Sequence, residues 1–217
     1  MMQVTAQMVK ELRDMTGAGM MDCKKALTAS EGDVEGAIKW LRQHDLATAE
    51  KKAGRIAAEG IVDSYIHEGG RIGVLIEVNI ETDFAAKNKD FKELVYELAM
   101  QVAAMNPQYV TRDEVPEEVV EREREIARAQ AIKSGKPEHI VERIVNGRLE
   151  KFYEEACLME QSYIRDDNKT CEQLVKELIG KIGENIKVRR FVRYEMGEGL
   201  EKRNECFADE VAAQLNK

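Results

Sequence analysis

Apolar residues recur every three or four positions in three short blocks near the start of the chain. The blocks span residues 8–15, 20–27 and 34–41, and glycine-containing breaks separate them. This spacing is typical of short amphipathic helices, and Asp33 stands where the N-cap of the third helix is expected. Residues 1–44 are therefore predicted to form a small three-helix bundle.

So small a bundle can hide few side chains. Met20, Met21 and Trp40 can fill its core, or some of them can stay near its surface. Exposed methionines adapt readily to the surface of a partner protein. The sequence leaves both interpretations open.

The pattern changes after the bundle. Residues 45–59 are rich in alanine and lysine with little apolar periodicity, which predicts a partly helical linker. Two runs rich in β-branched residues follow, at 61–66 and 72–80, with a glycine pair between them. Such a pair predicts a β-hairpin. Residues 186–194 can supply a third strand, and three strands packed with helices are enough for a stable sheet.

Further helices are predicted after the first two strands. An apolar stripe after the β-hairpin predicts a helix that covers the sheet. The stripe comprises Phe91, Leu94, Val95, Leu98 and Val102. Residues 116–133 and 137–158 form two charged helical stretches, each starting with proline and joined through a glycine, which predicts a helical hairpin. A last helix is expected over 206–215.

Together these elements predict an α+β fold. It combines the N-terminal bundle, a core with a small three-stranded antiparallel sheet packed with helices, and a helical hairpin. The predicted division is 1–44 for the bundle, 45–59 for the linker, 60–112 for the first part of the core, 113–160 for the hairpin, 161–199 for the second part of the core, and 200–217 for a C-terminal helical module.

Composition limits the kinds of partner. The 217 residues are 34% charged and 43% apolar, with 3 prolines, which is typical of a helix-rich globular protein. The net charge is −8, and a negative field disfavours direct nucleic-acid binding. No apolar run approaches the ~20 residues of a membrane span, and the first residues lack the features of a signal peptide. We therefore expect a cytoplasmic protein that binds neither nucleic acid nor membrane.

The residues that usually carry reaction chemistry are scattered. The 4 cysteines form no Cys-x-x-Cys pair and the 3 histidines lie far apart in sequence, so free thiols and no metal site are expected. No P-loop is present, and neither Gly-x-Ser-x-Gly nor His-Glu-x-x-His occurs. These patterns predict no cofactor and no enzymatic reaction, and they favour a protein whose ligand is another protein.

One segment stands out because a buried-looking strand ends abruptly in Thr82-Asp83-Phe84 and a helix follows. By local criteria Asp83 can cap that helix while Phe84 folds down as a hydrophobic staple. The other interpretation is that the strand presents a carboxylate and a large aromatic ring at a tip that inserts into a partner.

Two segments resemble the signatures of the bacterial elongation factor Ts family. They read TGAGMMDCKKAL at 16–27 and EVNIETDFAAKN at 77–88. Further similarity lies at 134–137, 181–190 and 197–200, so the resemblance covers essentially the whole chain. Two long matches in the family's order are more specific than either alone, and the chain is identified as a member of this family. Its N-terminal bundle resembles a ubiquitin-associated domain, and the resemblance implies that its helical hairpin is the protruding helical hairpin of the family.

The resemblance implies a function. Elongation factor Ts is the guanine-nucleotide exchange factor of elongation factor Tu, the GTPase that carries aminoacyl-tRNA, and binds its GDP-bound and nucleotide-free forms. It makes and breaks no covalent bond and needs no cofactor. By matching positions, Thr82, Asp83 and Phe84 would form the wedge that enters the GTPase near its magnesium and phosphate site.

The resemblance also implies contacts outside the wedge. Arg13, Met20 and Met21 match positions that grip a helix of the GTPase. Asp209 and Val211, in the last predicted helix, would brace the same region.

The chain departs from the family pattern chiefly in length. Long family members carry two related core subdomains, whereas this chain has room for one and resembles a short form. A single three-stranded sheet leaves an edge that needs cover, which suggests a homodimer formed through the sheet. Ala85, where valine is frequent, and Ile80, where a smaller residue is common, look like changes of packing.

Two rival interpretations belong to other classes of protein. A helical adaptor could bind proteins through the ubiquitin-associated-like bundle without any effect on nucleotides, but it would not require the Thr-Asp-Phe tip. An enzyme could use Glu81 and Asp83 as paired carboxylates, since residues two apart on a strand share a face. No second catalytic residue type converges there by sequence.

Overall fold

The computed structural model of the protein describes residues 4–135 and 137–201, and within them the chain forms eight α-helices and five strands. The helices are α1 (Ala6–Thr16), α2 (Met20–Ala29), α3 (Val34–Lys52), α4 (Asp83–Ala86), α5 (Lys89–Met105), α6 (Glu117–Lys133), α7 (Glu138–Ala156) and α8 (Cys171–Ile182). The strands are β1 (Glu59–Ile66), β2 (Ile72–Ile80), β3 (Ser162–Tyr163), β4 (Asp166–Thr170) and β5 (Ile186–Glu195). The predicted α+β class is confirmed.

Helices α1 to α3 form the N-terminal bundle, and local caps set their ends. Thr5 Oγ1 accepts from the Met8 amide at the start of α1, and Asp33 accepts from the Gly36 amide at 2.8 Å, as predicted. Gly17 closes α1 with φ 70°, a conformation that side chains with a Cβ rarely adopt. The buried residues of the bundle are Val9, Leu12, Cys23, Ala26, Leu27, Ala37 and Leu41.

Helix α3 continues beyond the bundle. It runs on through the predicted 44/45 boundary to Lys52, and it packs against α8. Ala49 is 3% exposed and belongs to the main core. Small side chains let the two helices approach closely, so the first half of the predicted linker is a packed helix rather than a loose connection. The division of the chain into domains stays a prediction.

The main sheet has the antiparallel order β1-β2-β5. The β1–β2 turn contains Gly69 and Gly70, both with positive φ, as the glycine pair predicted. Glu59 pairs with Ile80, which in turn pairs with Ile186. The end of β2 therefore lies between the starts of β1 and β5, and the segments that lead into those strands meet at this edge.

One face of the sheet is buried and the other is open. Along β2 the residues Val74, Ile76, Val78 and Ile80 are buried, whereas Leu75 between them is exposed, which is the period of two expected of a half-covered strand. Helix α5 covers the buried face, and its predicted apolar stripe lies in the main core.

The segment after β2 differs from the single helix that was expected. It forms the short helix α4 and then α5, because the Asn88 side chain accepts from the Asp90 amide at 2.8 Å and starts a new helix. Asn88 itself has extended backbone angles, with φ −61° and ψ 137°. The chain thus turns between the two helices, and α4 stands apart as a separate turn of helix.

Helices α6 and α7 form the predicted hairpin around a small cluster of their own. Its buried residues are Ala127, Ala131, Val141, Val145 and Leu149. Pro116 and Pro137 were predicted at the first helical positions but occupy the N-cap positions, so each helix begins one residue later than predicted. Arg112 joins the base of the hairpin to the core, since its guanidinium pairs with Glu150 and Glu160.

The second part of the core contains a small sheet that was not predicted. Strands β3 and β4 pair antiparallel and lead into α8, which begins with a capping box formed by Thr170 and Gln173. Strand β5 follows α8 and closes the main sheet, as predicted. In the two described ranges no helix is both long and apolar enough to cross a membrane.

Candidate functional site

The Thr-Asp-Phe tip stands at the edge of the sheet where β2 ends. Ile80 is fully buried, and Thr82 caps α4 by accepting from the Ala85 amide at 3.2 Å. Ala85 and Ala86 pack into the main core. Phe84 points the other way and is 84% exposed. The local interpretation in which Asp83 caps the helix and Phe84 folds down is therefore wrong.

The carboxylate of the tip is exposed and ionised at neutral pH. Asp83 is the first residue of α4, where the positive end of the helix favours a negative charge. Lys87 lies one turn later, and its Nζ is 2.9 Å from Asp83 Oδ2. The hydrogen bond and the charge of Lys87 hold the pKa of the Asp83 carboxyl below its usual value. The tip thus presents a fixed negative charge beside an exposed aromatic ring.

Glu81 beside the tip has a structural role. Its Oε1 accepts from the Asn185 amide at 2.6 Å, and its Oε2 lies 3.5 Å from Arg55. The Asn185 hydrogen bond, with Arg55, lowers the pKa of Glu81. A general acid needs a pKa near the working pH. The pKa values of the Glu81 and Asp83 carboxyl groups are instead both lowered. The lowered pKa values of these two carboxyl groups give no support to paired acid–base chemistry.

The N-terminal candidates lie on the surface of the bundle. Arg13 is exposed in the last turn of α1. Met20 and Met21 open α2 and are 48% and 62% exposed, and Met15 is exposed beside them. Trp40 is partly buried against the bundle and stacks on His44. The choice left open by the sequence is resolved in favour of methionines at the surface.

A groove joins the N-terminal surface to the tip. It has a volume of about 630 Å³, and Arg13 and Gly19 line one wall while Phe84 and Lys87 line the other. Met20 follows Gly19 directly in the chain. Candidates taken from two distant parts of the sequence, Arg13 and Phe84, therefore face a common cavity. A single element of a partner could contact both.

Lys181 of α8 also lines this groove and contacts two of the helices around it. Its Nζ is 2.8 Å from Asp90 Oδ2 in the first turn of α5, and its ammonium group lies against Gly17 at the end of α1. A cation is stabilised near the negative end of a helix. Lys181 thus links the C-terminal end of α1 to the first turn of α5.

Other candidates fall outside the site or outside the described residues. Asp209 and Val211 lie in 202–217, which the structure does not describe. Cys23, Cys157 and Cys171 are free and buried. In the described part of the chain no group of three or more His, Cys, Asp or Glu side chains could hold a metal ion.

Sequence reasoning missed two neighbours of the tip. Lys87 could have been found, because it stands four residues after Asp83 and such pairs meet on a helix. Glu184 accepts hydrogen bonds from Thr82, and no local pattern connects residues so far apart in the chain.

Fold and surface together define the class: an α+β protein that presents an exposed apolar tip and an adjoining groove, features typical of proteins that dock on other macromolecules. The chain belongs to the elongation factor Ts family, since the family model described as "Elongation factor TS" matches residues 7–198.

Similar proteins agree over nearly the whole length. The chain is 64% identical over 213 residues to Elongation factor Ts of Acetivibrio thermocellus, covering 98% of this chain and 99% of that protein. It is 63% identical over 215 residues to Elongation factor Ts of Desulforamulus reducens, covering 99% of each, and 60% identical over 212 residues to that of Syntrophomonas wolfei, covering 98% of this chain and 99% of the other.

Proposed function

We propose that this protein is the guanine-nucleotide exchange factor of elongation factor Tu and acts in the cytoplasm during translation elongation. The observation that carries the proposal is the tip itself: Phe84 is 84% exposed beside the ionised Asp83 at the end of a buried strand. Membership of the elongation factor Ts family supplies the partner. The chain then makes and breaks no covalent bond and needs no cofactor.

In this proposal Thr82, Asp83 and Phe84 form a wedge that enters the GTPase near its magnesium and phosphate site. Phe84 supplies apolar surface, and the Asp83 carboxylate brings a negative charge towards bound phosphates, which repel it. A factor weakens nucleotide binding only by binding the nucleotide-free form better, and nucleotide then weakens the factor equally. Exchange is therefore reversible, and GTP or GDP displaces the factor.

The wedge alone supplies too little binding energy to displace a tightly bound nucleotide. Burying one phenylalanine is worth about 1.5–3 kcal/mol, or roughly one to two decades of affinity. A nucleotide held at nanomolar strength corresponds to about 12 kcal/mol. We therefore propose that Arg13, Met20 and Met21 supply much of the binding energy from the other side of the groove, with Asp209 and Val211 bracing the same region.

The test is stopped-flow release of a fluorescent GDP analogue from elongation factor Tu. Wild type should accelerate release, and the double variant Asp83→Ala/Phe84→Ala should lose most of the acceleration. Phe84→Ala alone should slow release while the complex still forms, because the groove contacts remain. Met20→Ala/Met21→Ala should mainly raise the concentration needed for half-maximal release.

The N-terminal contribution should be tested by point variants rather than by deletion of residues 1–50. Such a deletion would remove Ala49 from the main core and destabilise the rest. Ile132→Ala, at an exposed apolar position of α6, is the matched control and should leave release unchanged.

Absence of acceleration by wild type, with a complex still formed, would replace the proposal by an adaptor that binds through its exposed methionines. Equal losses of affinity in the tip and methionine variants would contradict the proposal that the tip drives nucleotide release while the methionines supply binding.

We also propose that two copies pair through the open face of the sheet. Apolar side chains are exposed there on all three strands, namely Val62 and Ile66 on β1, Leu75 on β2, and Val192 and Tyr194 on β5. Apolar groups clustered on one face are typical of interaction surfaces. Solution scattering at micromolar concentration should give the mass of a dimer for wild type and of a monomer for Leu75→Glu. A monomeric wild type would refute the pairing.

A further inference from the structure

The turn between α8 and β5 reaches across the sheet edge to the tip. Glu184 in this turn accepts from the Thr82 amide at 3.0 Å through Oε2, and from the Thr82 hydroxyl at 2.9 Å through Oε1. The same hydroxyl oxygen accepts from the Ala85 amide and so caps α4. One carboxylate therefore fixes both the backbone and the side chain of the residue that starts the tip.

The turn that carries Glu184 is itself held firmly. The Gly183 carbonyl accepts from Lys52 Nζ at the end of α3. Asn185 is 6% exposed, its amide donates to Glu81 at 2.6 Å, and its side chain donates to the Arg55 carbonyl at 2.8 Å. The turn and the base of the tip thus exchange hydrogen bonds in both directions, Asn185 to Glu81 and Thr82 to Glu184.

Few other groups define the direction of Phe84. Its ring is 84% exposed and lacks the packing of a buried side chain. The ion pair between Asp83 and Lys87 is exposed on both sides, and exposed pairs contribute little order. Helix α4 has 4 residues, too few to be stable alone. Among the residues that the structure describes, Glu184 supplies the long-range side-chain hydrogen bonds to Thr82 at the start of the tip.

We propose that Glu184 is a positioning residue for the tip: it sets the angle at which α4 projects Asp83 and Phe84, so that nucleotide release depends on it more than binding does. The inference rests on the proposed exchange function. A group that must meet a reacting site loses much of its effect when it is misplaced by about 1 Å. The contacts across the groove tolerate such an error better because they do not act on the nucleotide.

The variant Glu184→Ala tests this in the GDP-release assay. The maximal release rate should fall about three- to tenfold, the value of one or two exposed hydrogen bonds. The concentration of factor that gives the half-maximal rate should stay within about twofold, since the contact surfaces remain. Glu184→Gln keeps an acceptor for the Thr82 amide and should restore most of the rate.

Two further measurements separate positioning from a merely structural role. In the Phe84→Ala background Glu184→Ala should cost clearly less than in wild type, because only Asp83 is then left to be misplaced and residues that act through one another are not additive. By NMR hydrogen exchange, the Thr82 amide should exchange faster in Glu184→Ala than in wild type, while the amides of β2 stay protected. Glu68→Ala is the matched control, since Glu68 lies in the β1–β2 turn at the other end of β2.

Each outcome of these experiments either supports or overturns the positioning role of Glu184. An unchanged maximal rate in Glu184→Ala, an effect confined to the half-maximal concentration, or a loss of equal size in the Phe84→Ala background would overturn the positioning role while leaving the exchange function intact. An inactive wild type would overturn both. A rate loss that Glu184→Gln rescues, that is smaller without Phe84 and that is accompanied by faster exchange of the Thr82 amide would establish the role.

Discussion

Asp45 lies where α3 packs against α8, and its charge is expected to weaken that contact. Its carboxyl group sits so close to Gly180 that a Cβ there would overlap it. Burial raises the pKa of Asp45 from 3.8 to about 6, and the carboxylates of Glu177 and Asp22 add to the effect. The variant Asp45→Asn keeps the shape of the side chain and removes the charge. We expect it to stabilise the protein at neutral pH.

The sign follows from proton linkage. Between the ordinary pKa of 3.8 and the raised pKa of about 6, the folded state binds more protons than the unfolded state, so this group makes stability fall as the pH rises. The penalty is absent below pH ~4 and fully present above pH ~6. At about 1.36 kcal/mol per pKa unit the upper limit is ~3 kcal/mol. Because the carboxyl group is only half-buried, screening by solvent reduces this to ~1–2 kcal/mol.

Urea unfolding of wild type and Asp45→Asn at pH 7.5 and pH 4.5 measures the effect. The variant should be more stable by ~1–2 kcal/mol at pH 7.5, with an unchanged slope m, and the difference should shrink at pH 4.5. Asp167→Asn, at an exposed position of β4, is the control for removal of a carboxylate and should change stability at pH 7.5 by less than about 0.5 kcal/mol. A variant that is less stable at pH 7.5, or a gain of the same size at both pH values, would refute the reasoning.

Three further predictions concern the core, the thiols and a helix cap. Phe91→Ala should cost about 3–5 kcal/mol in urea unfolding because Phe91 is fully buried, whereas Phe84→Ala should stay within about 0.5 kcal/mol; equal losses would contradict the exposure of the tip. Burial raises the pKa of Cys171 to about 12 and that of Cys157 to about 11, so mass spectrometry should find both unmodified after iodoacetamide at pH 8, and rapid labelling of the native protein would count against this. Thr170→Ala should cost about 0.5–2 kcal/mol by removing the capping box of α8, and Thr170→Ser should not; equal stability of the two variants would argue against the cap.

The elements with strong periodicity were predictable. The strands β1, β2 and β5 carry alternating or continuous β-branched residues, and the glycine pair marks the turn between the first two. The three helices of the bundle were predicted from their apolar spacing, and the two of the helical hairpin from the prolines that start them and the glycine that joins them. The small strands β3 and β4 were not, since a sequence such as Asp166 to Thr170 is polar throughout and has no apolar alternation to reveal a strand.

The path of α3 and the support of the tip depend on contacts between distant residues. Residues 45–52 show no apolar stripe, and their helix is stabilised by the packing of Ala49 in the main core and of α3 against α8. Glu184 lies 102 residues from Thr82 in the chain, so nothing in either local sequence indicates their pairing. The Thr-Asp-Phe segment itself was recognisable, but only the structure shows that Thr82, and not Asp83, caps α4.

The sequence of α4 explains why an exposed phenylalanine is compatible with a rigid tip. Leaving Phe84 outside forgoes about 1.5–3 kcal/mol of possible burial. Ala85 and Ala86 occupy the core side of the helix, and their packing does not depend on where Phe84 points. With Ala85 and Ala86 packed in the core and Thr82 held by Glu184, the backbone of the tip is fixed before any partner arrives, and little backbone entropy is lost when it binds. The apolar surface of Phe84 remains available to a partner, which is the property that the proposed wedge requires.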